Sequence, residues 1–136
     1  MKHLLVPIDG SDRSMQSVTA IKCIFSPQQA DITLITVRED LDSSSTVILD
    51  KMARETMPIL DAVAGILPEY TVSKVVEFGI AGNAILKYAK QHRMDMIVIT
   101  KHTHSAKSIF LGSVAVHLVK YAPCPVIVLP EHATEK

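Results

Sequence analysis

Three short polar stretches carry the residues able to do chemistry, and each borders an apolar run. The first is Asp9-Gly10-Ser11, directly after Leu4-Leu5-Val6-Pro7-Ile8. A carboxylate at the end of a buried strand can accept hydrogen bonds from the hydroxyls of a ligand. The same residues also suit the cap of a following helix, since Asp, Gly and Ser favour turns and helix starts. The second is Thr100-Lys101-His102-Thr103-His104-Ser105-Ala106-Lys107-Ser108. Its hydroxyls and its two lysines could hold an anion through side chains. His102 and His104 would share one side of an extended segment, as a metal-binding pair does. No nearby Cys or carboxylate completes that ligand set, and a solvated polar loop accounts for the stretch as well. The third is Gly112-Ser113, which opens a helical pattern. Helix starts offer backbone N–H groups to anions, and an ordinary N-cap is the plainer alternative.

These stretches need elements to position them, and the hydrophobic pattern supplies five strands and four helices in alternation. Short apolar runs bounded by turn residues read as strands at His3–Ile8, Asp31–Val37, Tyr70–Phe78, Met96–Ile99 and Val126–Leu129. The first helix follows Ser11 or Asp12, with Met15, Val18, Ala20, Ile21 and Ile24 on its apolar face, and Ser26-Pro27 ends it. Leu41 to Thr46 is polar and reads as a loop. Helical spacing runs from Val47 to Leu67, with a kink or a break expected at Pro58. Asn83 is the expected cap of a third helix facing inward with Ile85, Leu86, Tyr88 and Ala89. The last helix is expected to carry Val114, Val116, Leu118 and Val119.

A strand–helix alternation of this kind calls for a five-stranded parallel α/β sheet with helices on both faces. In such sheets ligands sit beyond the carboxyl ends of the strands, where the winding reverses. With the order 3-2-1-4-5 that point lies between strands one and four. The segments after Ile8 and after Ile99, both polar, then face one crevice.

Composition narrows the options. The chain has 136 residues, enough for one domain; 1–130 reads as that domain and 131–136 as a polar tail. Fourteen Lys plus Arg balance fourteen Asp plus Glu, so nucleic-acid binding by bulk charge is not expected. The apolar run after Met1-Lys2 stops at Asp9, too short for a secretory leader or a membrane span. The expectation is a cytoplasmic protein without a membrane partner. Its two cysteines, Cys23 and Cys124, are expected to be reduced, buried thiols. The Met residues at 52 and 57 read as core filler. Among catalytic signatures, a Gly-x-Ser-x-Gly elbow, a Walker loop and a Gly-x-Gly-x-x-Gly turn are all missing from the sequence. A phospho-receiver domain shares this element order. It would want an Asp ending strand three and a Lys ending strand five, where Glu77-Phe78-Gly79 and Leu129-Pro130 stand.

Several of these pieces together resemble the universal stress protein family over Leu4 to Leu129. Leu5-Val6-Pro7-Ile8-Asp9-Gly10-Ser11 resembles its first strand and terminal Asp. Gly79, Ala81, Ile85 and Ala89 resemble its Gly-x-Pro-x-x-x-Ile-x-x-x-Ala stretch, with Ala81 in the Pro position. Asp95-Met96-Ile97-Val98-Ile99 resembles its Asp-Leu-Ile-Val strand. Leu111-Gly112-Ser113-Val114, followed by Ala122-Pro123-Cys124-Pro125-Val126, resembles its ending. The resemblance implies a Rossmann-like, adenine nucleotide alpha hydrolase-like fold and a role in stress response. It also implies an adenine-nucleotide site, with Mg if the ligand is ATP, built from Pro7, Ile8, Asp9, Val37, Ile99, Thr100, Thr103, Gly112, Ser113 and Val114. Asp9 would hold the ribose, Val37 would pack on adenine, and the loop ending in Gly112-Ser113 would wrap the phosphates.

One departure stands out: Thr100 and Thr103 occupy the places of the two loop glycines, and the loop is about one residue shorter. Threonine restricts φ and adds bulk where a glycine lets backbone approach phosphate. The expectation is therefore a weakened nucleotide site with at most slow ATP hydrolysis. The alternative is a dimeric interaction module that binds no nucleotide. The dimer has its own basis, because Val126–Leu129 would be an apolar edge strand, and pairing two copies about a two-fold axis removes both edges.

Overall fold

The computed structural model describes residues 1–9, 12–39, 45–100 and 113–130. The elements alternate as β1 (Lys2–Pro7), α1 (Asp12–Ile24), β2 (Ala30–Arg38), α2 (Thr46–Ala64), β3 (Val72–Phe78), α3 (Ala81–Gln91), β4 (Met96–Thr100), α4 (Ser113–Tyr121) and β5 (Val126–Leu129). The strands form one parallel sheet in the order β3-β2-β1-β4-β5. The winding expected from the sequence is therefore the observed one, and it reverses between β1 and β4.

Strand periodicity explains why the sheet has two covered faces. Side chains alternate sides along a strand, so Leu4, Val6 and Ile8 join Ile32, Leu34 and Val98 in one buried layer beneath α1 and α2. Leu5 faces the other way, with Ile35, Ile97 and Ile99, against Ile85 and Ala89 of α3 and Ala115 and Leu118 of α4. Burying apolar side chains on both faces stabilises each by roughly 1.5–3 kcal/mol relative to exposure. It also explains why the strands read as continuous apolar runs rather than alternating ones. Beyond Pro7 the β1–β2 ladder continues, the Ile8 N–H donating to the Ile35 carbonyl at 2.8 Å.

Several local expectations are corrected. Of the kink or break expected at Pro58, the break is not found: α2 runs as one helix from Thr46 to Ala64. Pro58 lies on the exposed side, where the carbonyl four residues earlier can reach solvent, while Thr56, Leu60 and Val63 hold the buried side to the sheet. Asn83 does not cap α3, which starts two residues earlier with Ile80 as its N-cap. The inner face of α4 is Ala115 and Leu118; Val114, Val116 and Val119 are exposed. Apolar residues surround this helix, so periodicity alone could not pick its buried side. Ile24 is likewise exposed, and Cys23 is an exposed thiol rather than a buried one. Ser11, the loop residues 41–44 and the tail 131–136 lie outside the described residues.

Two backbone features set the approach of α3 to the sheet. Gly79 has φ +128°, a conformation side-chain-bearing residues rarely adopt, and its N–H donates to the Arg38 carbonyl at 3.0 Å. The glycine thus lets β3 turn into α3 while staying tied to the end of β2. At the other end of α3, Met94 N–H donates to the Ala89 carbonyl (3.0 Å) and Arg93 N–H to the Lys90 carbonyl (3.4 Å), with Arg93 at φ 50°. This is a Schellman closure with arginine in the position glycine usually takes.

Candidate functional site

At the carboxyl ends of β1, β2 and β4 lies a cavity of about 610 Å³. It sits at the reversal of winding, where diverging crossovers leave the strand ends uncovered. Pro7, Ile8 and Asp9 leave β1 along one wall. Ile35 to Glu39 leave β2, and Ile99 and Thr100 leave β4. Ser17 of α1, Glu55, Thr56 and Ile59 of α2, Ala81 and Ile85 of α3, and Ser113 to Ala115 of α4 complete the lining.

Of the expected site residues, Pro7, Ile8, Asp9, Val37, Ile99, Thr100, Ser113 and Val114 all line this one cavity. Thr103 and Gly112 lie outside the described residues, as do Lys101, His102, His104 and Lys107. Among the described residues, no group of three or more His, Cys, Asp or Glu is placed to hold a metal ion.

Side-chain hydrogen bonds brace the walls. The Thr36 hydroxyl donates to the Ile8 carbonyl, joining β2 to the residue just before Asp9. The hydroxyls of Ser17 and Thr100 are hydrogen-bonded to each other, tying α1 to the end of β4. Arg38 Nη1 donates to Thr56 Oγ1 at 2.7 Å, and Thr56 Oγ1 donates to the Met52 carbonyl at 2.8 Å. This pair fastens α2 to the end of β2 over the cavity. Glu39 Oε2 accepts the Ala81 N–H at 3.2 Å, so the side chain directly after β2 satisfies an N–H at the start of α3. A buried face thus carries polar partners for its polar atoms; the described residues include no buried side-chain nitrogen or oxygen without one.

Sequence reasoning missed Arg38, Glu39, Glu55 and Thr56. The signal for the first two was their place directly after Val37 at a strand end. Glu55 and Thr56 sit in mid-helix, where only tertiary packing brings them to the crevice.

The geometry can be set beside known proteins. The family model for the universal stress protein family matches residues 1–130. Universal stress protein MJ0531 of Methanocaldococcus jannaschii is 28% identical, with 98% of this chain and 85% of that protein covered. The structure of universal stress protein UspA from Lactobacillus plantarum superposes with a TM-score of 0.76 at 26% identity, covering 94% of this chain and 97% of that one. Two more distant structures share the fold. One is a universal stress protein in complex with cAMP (TM-score 0.74, 17% identity, 96% and 98% covered). The other is an Arabidopsis thaliana family protein with AMP bound (TM-score 0.75, 19% identity, 99% and 95% covered). With the family model spanning the sheet, its four helices and the crevice, the chain belongs to the universal stress protein family.

Proposed function

We propose that this chain is a stress-response binding protein whose crevice takes an adenine nucleotide with weakened affinity. The observation that carries the reading is the convergence of Asp9, Val37, Thr100 and Ser113, from four different elements, on one cavity. In this reading the Asp9 carboxylate accepts hydrogen bonds from the ribose hydroxyls and Val37 packs against the base. The start of α4, at Ser113, meets phosphate with backbone N–H groups and the helix dipole. The relatives bound to AMP and to cAMP support an adenine ligand as the class. Weakened affinity follows from Thr100 and Thr103 in the places of glycines. ATP, with Mg, is within this class; the role is binding, with ATP hydrolysis slow at most.

Residues 1–130 act as the single domain, and the protein works in the cytoplasm as a homodimer. None of its described helices is long and apolar enough to cross a membrane. β5 lies at the edge of the sheet, and Val116 and Val119 of the preceding helix are exposed. A second copy pairing with that edge and covering exposed apolar side chains is the arrangement this reading calls for.

A second reading is a dimeric interaction module without nucleotide. It draws on the Ser17–Thr100 hydroxyl pair, which already commits a side chain where the backbone would have to approach phosphate. Calorimetric titration with ATP, AMP and cAMP, with and without Mg, separates the two. Saturable heat that weakens in Asp9→Ala and Gly112→Val supports the nucleotide site; no heat with any of the three supports the module.

A further inference from the structure

We infer that Ile59 of α2 is a ligand-contacting residue of this crevice, placed to meet the face of the base, and that the Arg38–Thr56 hydrogen bond positions it. The inference rests on the adenine-nucleotide reading above. Ile8, Ile35, Ile85 and Ile99 line the cavity but are at most 7% exposed. They hold the sheet to its helices and have little surface left for a ligand. Among the described residues, two large hydrophobic side chains are both exposed and part of the lining, Ile59 at 39% and Val114 at 37%. Val114 belongs to α4, which packs on one face of the sheet through Ala115 and Leu118. Ile59 belongs to α2, which packs on the other face through Leu60 and Val63. The two therefore reach one cavity from opposite sides of the sheet.

An exposed isoleucine on an open surface needs no explanation. One that lines a cavity gains free energy when a ligand covers it. The faces of a purine ring are apolar, and its hydrogen-bonding groups lie on the edge. An aliphatic side chain buries against a face and makes no demand on phosphate, so every ligand sharing the base gains alike. The placement of Ile59 has a cause within the chain. Thr56 lies three residues before it, a neighbour on the helix surface, and is buried at 4% exposure. Its hydroxyl accepts from Arg38 Nη1 and donates to the Met52 carbonyl. Arg38, at the end of β2, thereby holds the turn of α2 that carries Ile59. It directly follows Val37, so one strand end supplies both a base contact and the anchor of the opposing helix.

The test is calorimetric titration of the full chain and its variants with adenosine, AMP and ATP, with urea midpoints as the check on folding. Ile59→Ala is expected to weaken all three ligands by the same factor, about five- to tenfold. Ile59→Leu, of equal volume, is expected to recover most of that loss. Thr56→Val removes the acceptor for Arg38 and is expected to weaken AMP about threefold in the otherwise unaltered chain. In the Ile59→Ala background it should add little, since the residue it positions is gone. A folded Ile59→Ala variant that binds all three as tightly as the unaltered chain overturns this inference and leaves the adenine reading standing. So does a loss confined to AMP and ATP, which would set Ile59 beside phosphate. A Thr56→Val variant without effect, or one whose loss adds in full to that of Ile59→Ala, overturns the positioning role of the Arg38–Thr56 pair. Absence of binding by all three ligands in the unaltered chain overturns both readings.

Discussion

The backbone of Gly82 lies against the ring of His117: a Cβ at Gly82 would stand 2.7 Å from Cδ2 and 3.1 Å from Cγ of the imidazole. This contact sets how closely α3 approaches α4, and both helices begin at the crevice. Helix propensity alone favours Ala over Gly by about 1 kcal/mol, but the clash is with the body of a packed ring. Gly82→Ala is expected to lower stability by about 1–2 kcal/mol in urea denaturation, a typical overpacking cost. Adding His117→Ala should recover most of that loss. A Gly82→Ala variant at least as stable as the original would show that the ring swings aside freely.

Arg93 offers the opposite case, a position where glycine should help. Its φ of 50° is left-handed, which costs a side-chain-bearing residue roughly 1–2 kcal/mol. The closure around it is otherwise well made, with Ala89 and Met94 both in the buried layer beside α3. Arg93→Gly is expected to raise stability by about 0.5–1 kcal/mol, since glycine also loses more entropy on folding. A lower urea midpoint for this variant would contradict the assignment of strain to that residue.

These two positions show where reading the sequence stops. The five strands were legible because each apolar run is short, rich in β-branched residues and closed by turn residues, whereas their 3-2-1-4-5 order rested on the doubly wound fold that the family resemblance implies. The crevice followed from that order, since a 3-2-1-4-5 winding must reverse between β1 and β4. What was not legible depends on the third dimension. Val114, Val116 and Val119 look like a core face, yet Ala115 and Leu118 are the buried pair because small Ala115 lets α4 sit close to the sheet. Asn83 looks like a cap, yet Glu39, distant in sequence, accepts the N–H of Ala81. Thr56 and Glu55 enter the crevice only because α2 lies across the end of β2, held there by Arg38.

Alkaline pH should destabilise the fold. Burial, with the nearby Asp95 carboxylate, raises the Cys124 thiol above its ordinary value of 9.0. Burial, with Glu77, raises Tyr88 above 10.0, and burial, with Glu69 and then Cys23, raises Tyr70. All three groups hold their protons more tightly folded than unfolded. Stability is then fully present below the ordinary values and is lost as pH rises through the raised ones. The urea midpoint is expected to stay level from neutral pH to about 8 and to fall above about 9. Cys124→Ala should remove the earliest part of that fall. A midpoint that rises with alkalinity would contradict the direction of these shifts.

The edge strand makes a prediction about assembly. β5 is hydrogen-bonded on one side by β4 and ends the sheet. Sedimentation of the unaltered chain at micromolar concentration is expected to give a dimer. Val128→Lys is expected to sediment as a monomer or to aggregate, with circular dichroism on its soluble fraction as the check on folding. A monomeric unaltered chain, or a folded Val128→Lys variant that still dimerises fully, would remove β5 as the interface.

The crevice itself can be located residue by residue by following backbone amide chemical shifts as AMP is added. Saturable changes are expected at Ile8, Asp9, Val37, Arg38, Thr100 and Ser113, with their loss in Asp9→Ala. Changes confined instead to the groove beside Glu77, Lys87 and Gln91, or spectra unmoved at millimolar AMP, would contradict it.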